Sequence, residues 1–527
     1  MKHARACLEC RQGKRKCQAS NETSSCHQCL QRHLQCSWQR RQSKKAISIL
    51  LPSTTVGKTS DDQLTTVPLD VCRELLELYF RYIHDKPHSL FHEASFRAQV
   101  EDGVASKPVM FAVFGLSARF SASEDIRCRG RQYTDLAKTL LKADMETISL
   151  ENIQACILVG NLCLADSKPD AESLYFGMAI RMAHILRLNI ESASDSTIQK
   201  EVKRRVWWSL YMIDRWSSAG LGLPRLLHDL DPQPSLPMDE YTFQRLRVTD
   251  NNSEPHVQQP GLWTYMILLA RIFGAIQDLN WSLAQGAIQD ERHVENLAFE
   301  LAGQLNEFER NLPPHVRYCR ENLVAHAEKG LGRTFVALHL GYHHYATLLY
   351  FHYLDVSRPQ NTAGIAYAER CRYHATAFSD LLTASTEMPN CEALYNIVGH
   401  MTIVSSSVHV HTLLFGDEKE LASAKKRLES NFKALIKLKS YWSSVESMIN
   451  RLMIFQNACL KSASNSTHKV DRWMVKYLLQ HALVLDEKDA SSELQGFAVT
   501  PANLQSVSLE VRYRGEMTHN AFLELIG

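Results

Sequence analysis

The chain has 527 residues, 45% hydrophobic and 22% charged, with 8 Trp, 18 Tyr and 19 Phe, a composition that excludes a disordered tail and fits a folded body. Its net charge of +2 hides an asymmetry: residues 1–45 carry eleven Lys or Arg against Glu9 and Glu22, a net +9, which leaves −7 for the remainder. No apolar stretch approaches the roughly eighteen unbroken residues of a membrane span, and Met1-Lys2-His3-Ala4-Arg5 opens no apolar signal core, so no membrane span is expected, nothing suggests secretion, and reduced thiols are expected.

The first stretch holds Cys7, Cys10, Cys17, Cys26, Cys29 and Cys36, spaced C-x2-C-x6-C twice with eight residues between the halves. Each C-x2-C pair can set two thiolates on one ion, and the third cysteine of each half returns to it after a short basic helix. Two tetrahedral zinc ions need eight sulfur contacts, which six sulfurs supply only if two are shared. A disulfide framework belongs to small secreted domains, so the spacing reads as metal ligation. Between the cysteines, Arg11, Lys14, Arg15 and Lys16 put four cations into six positions. Two zinc ions with six thiolates carry a formal charge of about −2, which four cations exceed. A basic segment joined to an acidic body points to a polyanion as partner of the N-terminus.

This stretch resembles the fungal Zn2Cys6 binuclear cluster. The family pattern of Arg, any residue, basic, Lys, any residue, Lys, Cys is met by Arg11, Gln12, Gly13, Lys14, Arg15, Lys16 and Cys17, with Gly13 in place of a cation; Ser24 stands where proline is frequent. The resemblance implies two Zn2+ ions per chain, with Cys7 and Cys26 as the shared thiolates. It also implies that the end of the first helix enters the major groove of double-stranded DNA at a CGG-like triplet. Lys14 would then read bases, since lysine fits guanine O6 and N7, while Arg11, Arg15 and Lys16 meet phosphates or the cluster's own charge.

Residues 37–67 are rich in Ser, Thr and Lys and read as a linker. Ile47, Leu50 and Leu51 could open a heptad helix, but Pro52 stops it, so no coiled coil beside the cluster is expected and a homodimer has no sequence signature. Arg40-Arg41 and Lys44-Lys45, with Lys14 to Lys16, form a bipartite nuclear import pattern and also suit phosphate contacts.

The rest reads as a large all-α body, too long for one ordinary core. Val71, Leu75, Leu78 and Tyr82 form one helical stripe; Ile153, Ile157, Gly160 and Leu164 form another; Leu174, Met178, Met182 and Ile185 a third. Further helices are predicted near 108–120, 129–148, 200–218, 260–280, 288–311, 330–354, 363–386, 392–414, 419–440, 443–462 and 470–485. Lys203 to Arg215 is apolar on nearly all sides and should be a central buried helix, broken by Gly220, Gly222 and Pro224 and followed by an irregular stretch at Pro232, Pro234 and Pro237. The run Arg204-Arg205-Val206-Trp207-Trp208 to Asp214-Arg215 resembles the signature of the fungal transcription factor regulatory domain, or middle homology region. Tyr79 to Phe96 resembles its opening, and Gly177 to Leu188 the helix before the Trp-Trp one. Trp207 and Trp208 are expected in the core, and Arg205, Asp214 and Arg215 in buried or half-buried ion pairs that fix helix order.

His339 and His343, four apart on one helix with His344 and His352 nearby, have no evident third ligand and read as structural. His92-Glu93 is half of a zincin motif, but Phe96 stands where the second histidine belongs; Gly220-x-Gly222 reads as a loop, and no nucleophile elbow or Walker lysine occurs. No catalytic residue is therefore expected. The tail from about 486 holds Asp486-Glu487-Lys488-Asp489 and sparse apolar residues, suiting either a weak acidic activation segment or a loop with a last helix near 516–526.

The predicted domains are a Zn2Cys6 module at 1–40, a linker at 41–67, an all-α regulatory domain at 68–465 and a C-terminal helix and tail at 466–527. The resemblance implies a nuclear, zinc-dependent, sequence-specific DNA-binding transcription regulator that meets the transcription machinery and controls metabolic genes, a secondary-metabolite cluster among the candidates. The alternative is a regulatory scaffold that acts by protein contact without reading DNA.

Overall fold

A computed structural model describes residues 10, 16–17, 26–32, 67–86, 88–229, 232–247, 260–285, 290–355, 362–461, 471–486 and 514–516. The chain divides into two compact units, residues 1–73 and 74–527. Among the described residues the second unit is all-α: no strand occurs, and only isolated bridges pair His84 with His88 and Met238 with Pro260. Successive helices pack as hairpins, Lys107–Ser117 on Glu124–Ala143, Leu150–Ala165 on Pro169–Ile185, Gly332–Tyr350 on Thr362–Glu387, and Ile397–Phe415 on Glu418–Lys439. Their short connections force antiparallel neighbours.

The tryptophan helix runs from Thr197 to Leu221 because both ends are specified. Ser196 accepts from the Gln199 backbone N–H at 3.3 Å while the Gln199 side chain accepts from the Ser196 N–H at 3.0 Å, a reciprocal cap. Gly222, at φ 67°, takes the left-handed C-terminal position that a side chain would resist. Gly220 does not break the helix as expected; it lies in the last turn, where a Cβ would come within 2.7 Å of the His481 ring. The proline-bearing stretch that follows is held from the helix. Trp207 Nε1 donates to Gln233 Oε1 at 2.7 Å, and Trp208 Nε1 to the Ser235 carbonyl at 3.0 Å. Both indole bodies are buried, as expected.

Arg205 and Glu201 sit one turn apart on this helix with fully buried side chains, Nε to Oε1 2.8 Å. Arg205 also donates to Ser89 Oγ at 3.0 Å and to the Met238 carbonyl at 2.7 Å, and Asp85 lies 3.7 Å away. Burial alone would raise the Asp85 pKa, but His84, Arg205 and a Ser89 hydrogen bond outweigh it and hold the carboxyl well below its usual range. Arg215 pairs with Asp229 at 2.6 Å. Asp214 departs from expectation: among the described residues it makes no ion pair, and instead accepts the backbone N–H groups of Leu226 and Leu227, each at 2.9 Å to Oδ2. The loop after Gly222 has no helical partners for those donors, and a carboxylate supplies them.

The helix in contact with most neighbours is Gly332–Tyr350, in which every residue but Ala337 is buried. It packs against Leu262–Gln285, Glu291–Asn311, Arg320–Glu328, Thr362–Glu387 and Ile397–Phe415. Within it His339 Nε2 bonds the Val316 carbonyl at 2.9 Å and His343 Nδ1 meets His374 Nδ1 at 3.0 Å, so both rings serve packing. Leu262–Gln285 is long and apolar enough to cross a membrane. It does not face lipid on all sides, for Trp263, Ile267, Phe273 and Ile276 are buried in the body while Arg271 and Asp278 are exposed. Several predicted spans shift: the 392–414 helix starts at Ile397, and the 330–354 helix ends at Tyr350 in a 3-10 turn. The 108–120 helix ends at Ser117 in a 3-10 turn; the 129–148 helix runs Glu124–Ala143; the 470–485 helix is only Arg472–Leu478, where the chain turns to lay His481 against Gly220. Glu93–Glu101, Glu240–Arg245 and Arg320–Glu328 are additional short helices.

Replacing Arg205 by Met should cost about 3–5 kcal/mol, because Glu201, left with Arg204, and Asp85, left with His84, each lose a buried cationic partner. Urea denaturation of the full chain measures it; a loss under about 1 kcal/mol would mean the pair does not hold the fold. Acid should act through histidines. Burial pushes His339, His374, His409 and His481 each down to about 4. Below pH ~6.5 the unfolded chain takes up protons that the folded chain refuses, so stability present above that pH is lost toward pH 4, by about 1.4 kcal/mol per histidine and pH unit. The urea midpoint should therefore fall steeply over this window, and a flat profile would contradict the buried-neutral assignment.

Candidate metal centre

In the first unit, Cys10, Cys26 and Cys29 are buried at 2%, 0% and 1% exposure, and Cys17 packs against them. Small-to-medium thiols do not build a core of their own; burying these in so short a segment makes sense if the sulfurs converge on something. They do. The sulfurs of Cys10, Cys17 and Cys26 all lie within 4.8 Å of one another, and Cys10 Sγ to Cys26 Sγ is 3.6 Å. A disulfide would need about 2.05 Å. Two thiolates on one tetrahedral zinc, with Zn–S near 2.3 Å, stand about 3.8 Å apart, so the donor set and its spacing fit that ion.

The second C-x2-C is closed by its backbone, Cys29 N–H to the Cys26 carbonyl at 3.1 Å, at the start of the short helix His27–Gln31. That turn brings Cys29 back beside Cys26 although two residues separate them. Residues from both halves of the repeat thus meet: Cys10 and Cys17 from the first, Cys26 from the second. This is what a shared sulfur requires. Among the described residues this is the only group of three or more His, Cys, Asp or Glu whose ligand atoms converge in this way. Lys16 is exposed beside it, as is Arg32. Cys7, Cys36, Arg11, Lys14 and Arg15 lie outside the described residues, as do the linker, the basic import pattern at 40–45, residues 487–489 of the acidic run and, past residue 516, the expected last helix. Of the scattered cysteines, Cys72, Cys156, Cys163, Cys371, Cys391 and Cys459 are buried and Cys128 is exposed. Burial pushes the Cys156 thiol up to about 12 and the Cys72 thiol to about 11, the behaviour of inert core residues.

One buried group had no signal in the sequence. Glu172, in the first turn of Pro169–Ile185, is 3% exposed, and its Oε2 has no hydrogen-bond partner among the described residues. A glutamate near a helix start is ordinary, so only the packing around it sets it apart.

The described thiols converge in a basic segment, and the body that follows is, among the described residues, all-helical around a buried tryptophan helix. Comparison with known proteins agrees. Residues 76–310 match the fungal specific transcription factor domain. The chain is 22% identical over 424 residues to Zn(2)-C6 fungal-type transcription factor FTF1c of Fusarium oxysporum f. sp. lycopersici, covering 73% of this chain and 45% of that protein. It is 21% identical to FTF2 of the same organism, covering 78% and 42%, and 26% identical to an uncharacterized transcriptional regulatory protein of Schizosaccharomyces pombe, covering 56% and 33%. The chain thus spans about half or less of the length of these relatives. No solved structure matches it. Residues 76–310 thus match the fungal specific transcription factor domain, and two of the relatives the chain resembles are named Zn(2)-C6 fungal-type transcription factors.

Replacing Cys26 by Ser should strip bound metal from the full chain, because it removes the sulfur nearest Cys10, whereas Cys128→Ser should leave metal content unchanged. Elemental analysis of the two purified variants decides; equal metal in both would remove the centre.

Proposed function

We propose that the protein is a zinc-dependent, sequence-specific DNA-binding transcription regulator. The observation that carries this is the convergence of Cys10, Cys17 and Cys26 within a +9 segment of the chain. Cys7, Cys10, Cys17, Cys26, Cys29 and Cys36 hold two Zn2+ ions between them, with Cys7 and Cys26 shared. The zinc supplies the cross-link that a segment of some forty residues cannot obtain from a hydrophobic core. The polypeptide does the rest. Its exposed cations, Lys16 among them, anchor phosphates, and Lys14 reads a CGG-like triplet in the major groove.

The helical body then regulates or transmits this binding to the transcription machinery. The names of the relatives and the family of residues 76–310 support that role. Nuclear localisation follows from the basic runs at 14–16, 40–41 and 44–45, and control of a metabolic gene set is the assignment this family favours. A homodimer has no coiled-coil signature beside the cluster and is left to its operator to reveal.

The test is metal analysis with random-sequence DNA selection on the full chain, before and after chelation. Two zinc ions per chain and a selected CGG-like site lost on chelation are expected. Lys14→Ala should weaken the selected site by about 1–3 kcal/mol while changing non-specific binding little. Binding without sequence preference, or unaffected by Lys14→Ala, would replace this reading with a protein-contact scaffold.

A further inference from the structure

Inside the body, the tryptophan helix and the Gly332–Tyr350 helix wall off a cavity of about 140 Å³. Phe176, Met212, Trp216, Leu340 and Met401 are among its apolar walls. An apolar cavity of about 150 Å³ is large enough to take up benzene, so the space suits one ring. Unlike a simple packing defect, this cavity has polar groups in its wall. Lys86 and the Arg333–Glu392 pair line it, as does Glu172.

Both cations have a partner, although the buried Nε of Arg333 has none among the described residues. Lys86 Nζ donates to the carbonyls of Phe80, at 3.2 Å, and His84, at 2.5 Å, and Arg333 is paired with Glu392. Glu172 differs. It is 97% buried by its 3% exposure, no ion pair reaches it among the described residues, and Oε2 accepts nothing. Its facing neighbours are Ser217, which bonds it, and Tyr395, whose hydroxyl is turned to Asn161 Oδ1 at 2.8 Å. Burial pushes the Glu172 carboxyl up to about 8 despite the Ser217 hydrogen bond, as expected of an acid with no protein cation beside it. A buried carboxyl oxygen without a donor costs the fold free energy, and such groups call for an explanation.

We propose that this cavity binds a small one-ring apolar molecule bearing a cationic amine, the ring between Phe176, Trp216 and Leu340 and the ammonium donating to Glu172. The chemistry is complementary on both counts, an apolar wall for the ring and a single unsatisfied acceptor for the charge. The site lies in the body, and its occupation does not depend on zinc or on DNA reading.

Phenethylamine, phenethyl alcohol and phenylacetate are three probes of one shape that differ at the group facing Glu172. Isothermal titration calorimetry with the full chain should show saturable, one-to-one binding of the amine, about tenfold or more tighter than the alcohol, with phenylacetate weakest. Glu172→Gln should bring the amine down to the level of the alcohol while alcohol binding persists, which also shows that the variant is folded. Ala337→Leu, which fills the cavity from its wall, should abolish binding of both, with an unchanged helical circular-dichroism spectrum as its folding control. The proposal is overturned by no saturable binding of the amine, by equal affinity for amine and alcohol, by a preference for phenylacetate, or by an amine affinity that either variant leaves intact.

Discussion

The body depends on one buried charge cluster. Arg205 and Glu201 are fully buried on the same helix turn, and between them they reach Ser89, Met238 and Asp85. Two segments far apart in sequence, the 84–89 turn and the stretch at Met238, are therefore tied to one point of the tryptophan helix. A buried ion pair is weak as a source of net stability, because desolvation cancels much of the attraction. Its strength is in what it forbids. Any register that moves the 84–89 turn or Met238 away from the Arg205–Glu201 pair leaves buried charge with fewer partners, at a cost of several kcal/mol. Apolar packing tolerates sliding; this cluster does not.

The loop after the helix shows the same logic with backbone groups. Prolines at 232, 234 and 237 cannot donate, and the irregular chain around them leaves carbonyls without partners. Trp208, Arg205 and Thr264 donate to three of these carbonyls, of Ser235, Met238 and Pro237. At the other end Asp214 accepts two loop N–H groups, and Glu240 accepts those of Leu262 and Trp263 at 3.0 and 2.8 Å. Buried polar side chains thus replace the hydrogen bonds that secondary structure would have made. This explains why residues that look like an ion-pair set in the sequence divide into two kinds, arginines that pair and an aspartate that caps.

Most helices were legible because burial of one face imposes a 3.6-residue period. The stripe Leu174, Met178, Met182 and Ile185 marked its helix but not the buried face: Leu174 and Ile185 are exposed, and Tyr175, Phe176, Ala179, Ile180 and Ala183 are buried instead. The Trp-Trp helix was legible for the opposite reason, apolar all round with charges at its ends. What escaped is informative. Gly332–Tyr350 was expected as a helix with structural histidines, but not the partners that distant segments bring to it, the Val316 carbonyl for His339 and His374 for His343. Gly220 looks like a breaker, yet it is a helical residue whose missing side chain admits a histidine from 261 positions later, His481. Local propensity cannot show a close approach of that kind. The cysteine spacing was legible because ligand geometry constrains spacing directly, and the described sulfurs meet as that spacing requires. The Glu172 cavity was not, since a carboxyl becomes unusual only through the absence of neighbours, and absence has no sequence pattern.

The tryptophan helix links these features along a single rod. Its N-terminal half carries Glu201 and Arg205; its middle carries Trp207 and Trp208 toward the proline loop; its C-terminal half offers Met212, Ile213, Trp216 and Ser217 to the cavity. The rod is fixed at its start by the reciprocal Ser196–Gln199 cap and at its end by Gly222. Bending it would break backbone hydrogen bonds in a buried setting, and sliding it would strand the charge cluster, so both are costly. Filling or emptying the cavity can then be accommodated in only two ways, by side-chain repacking at the wall or by movement of the helix together with the loop that it holds. The first leaves the surface unchanged. The second alters the positions of residues 232–238 and of the 84–89 turn together, because the same arginine and tryptophans bind them, and a change inside the body would reach its surface through that route.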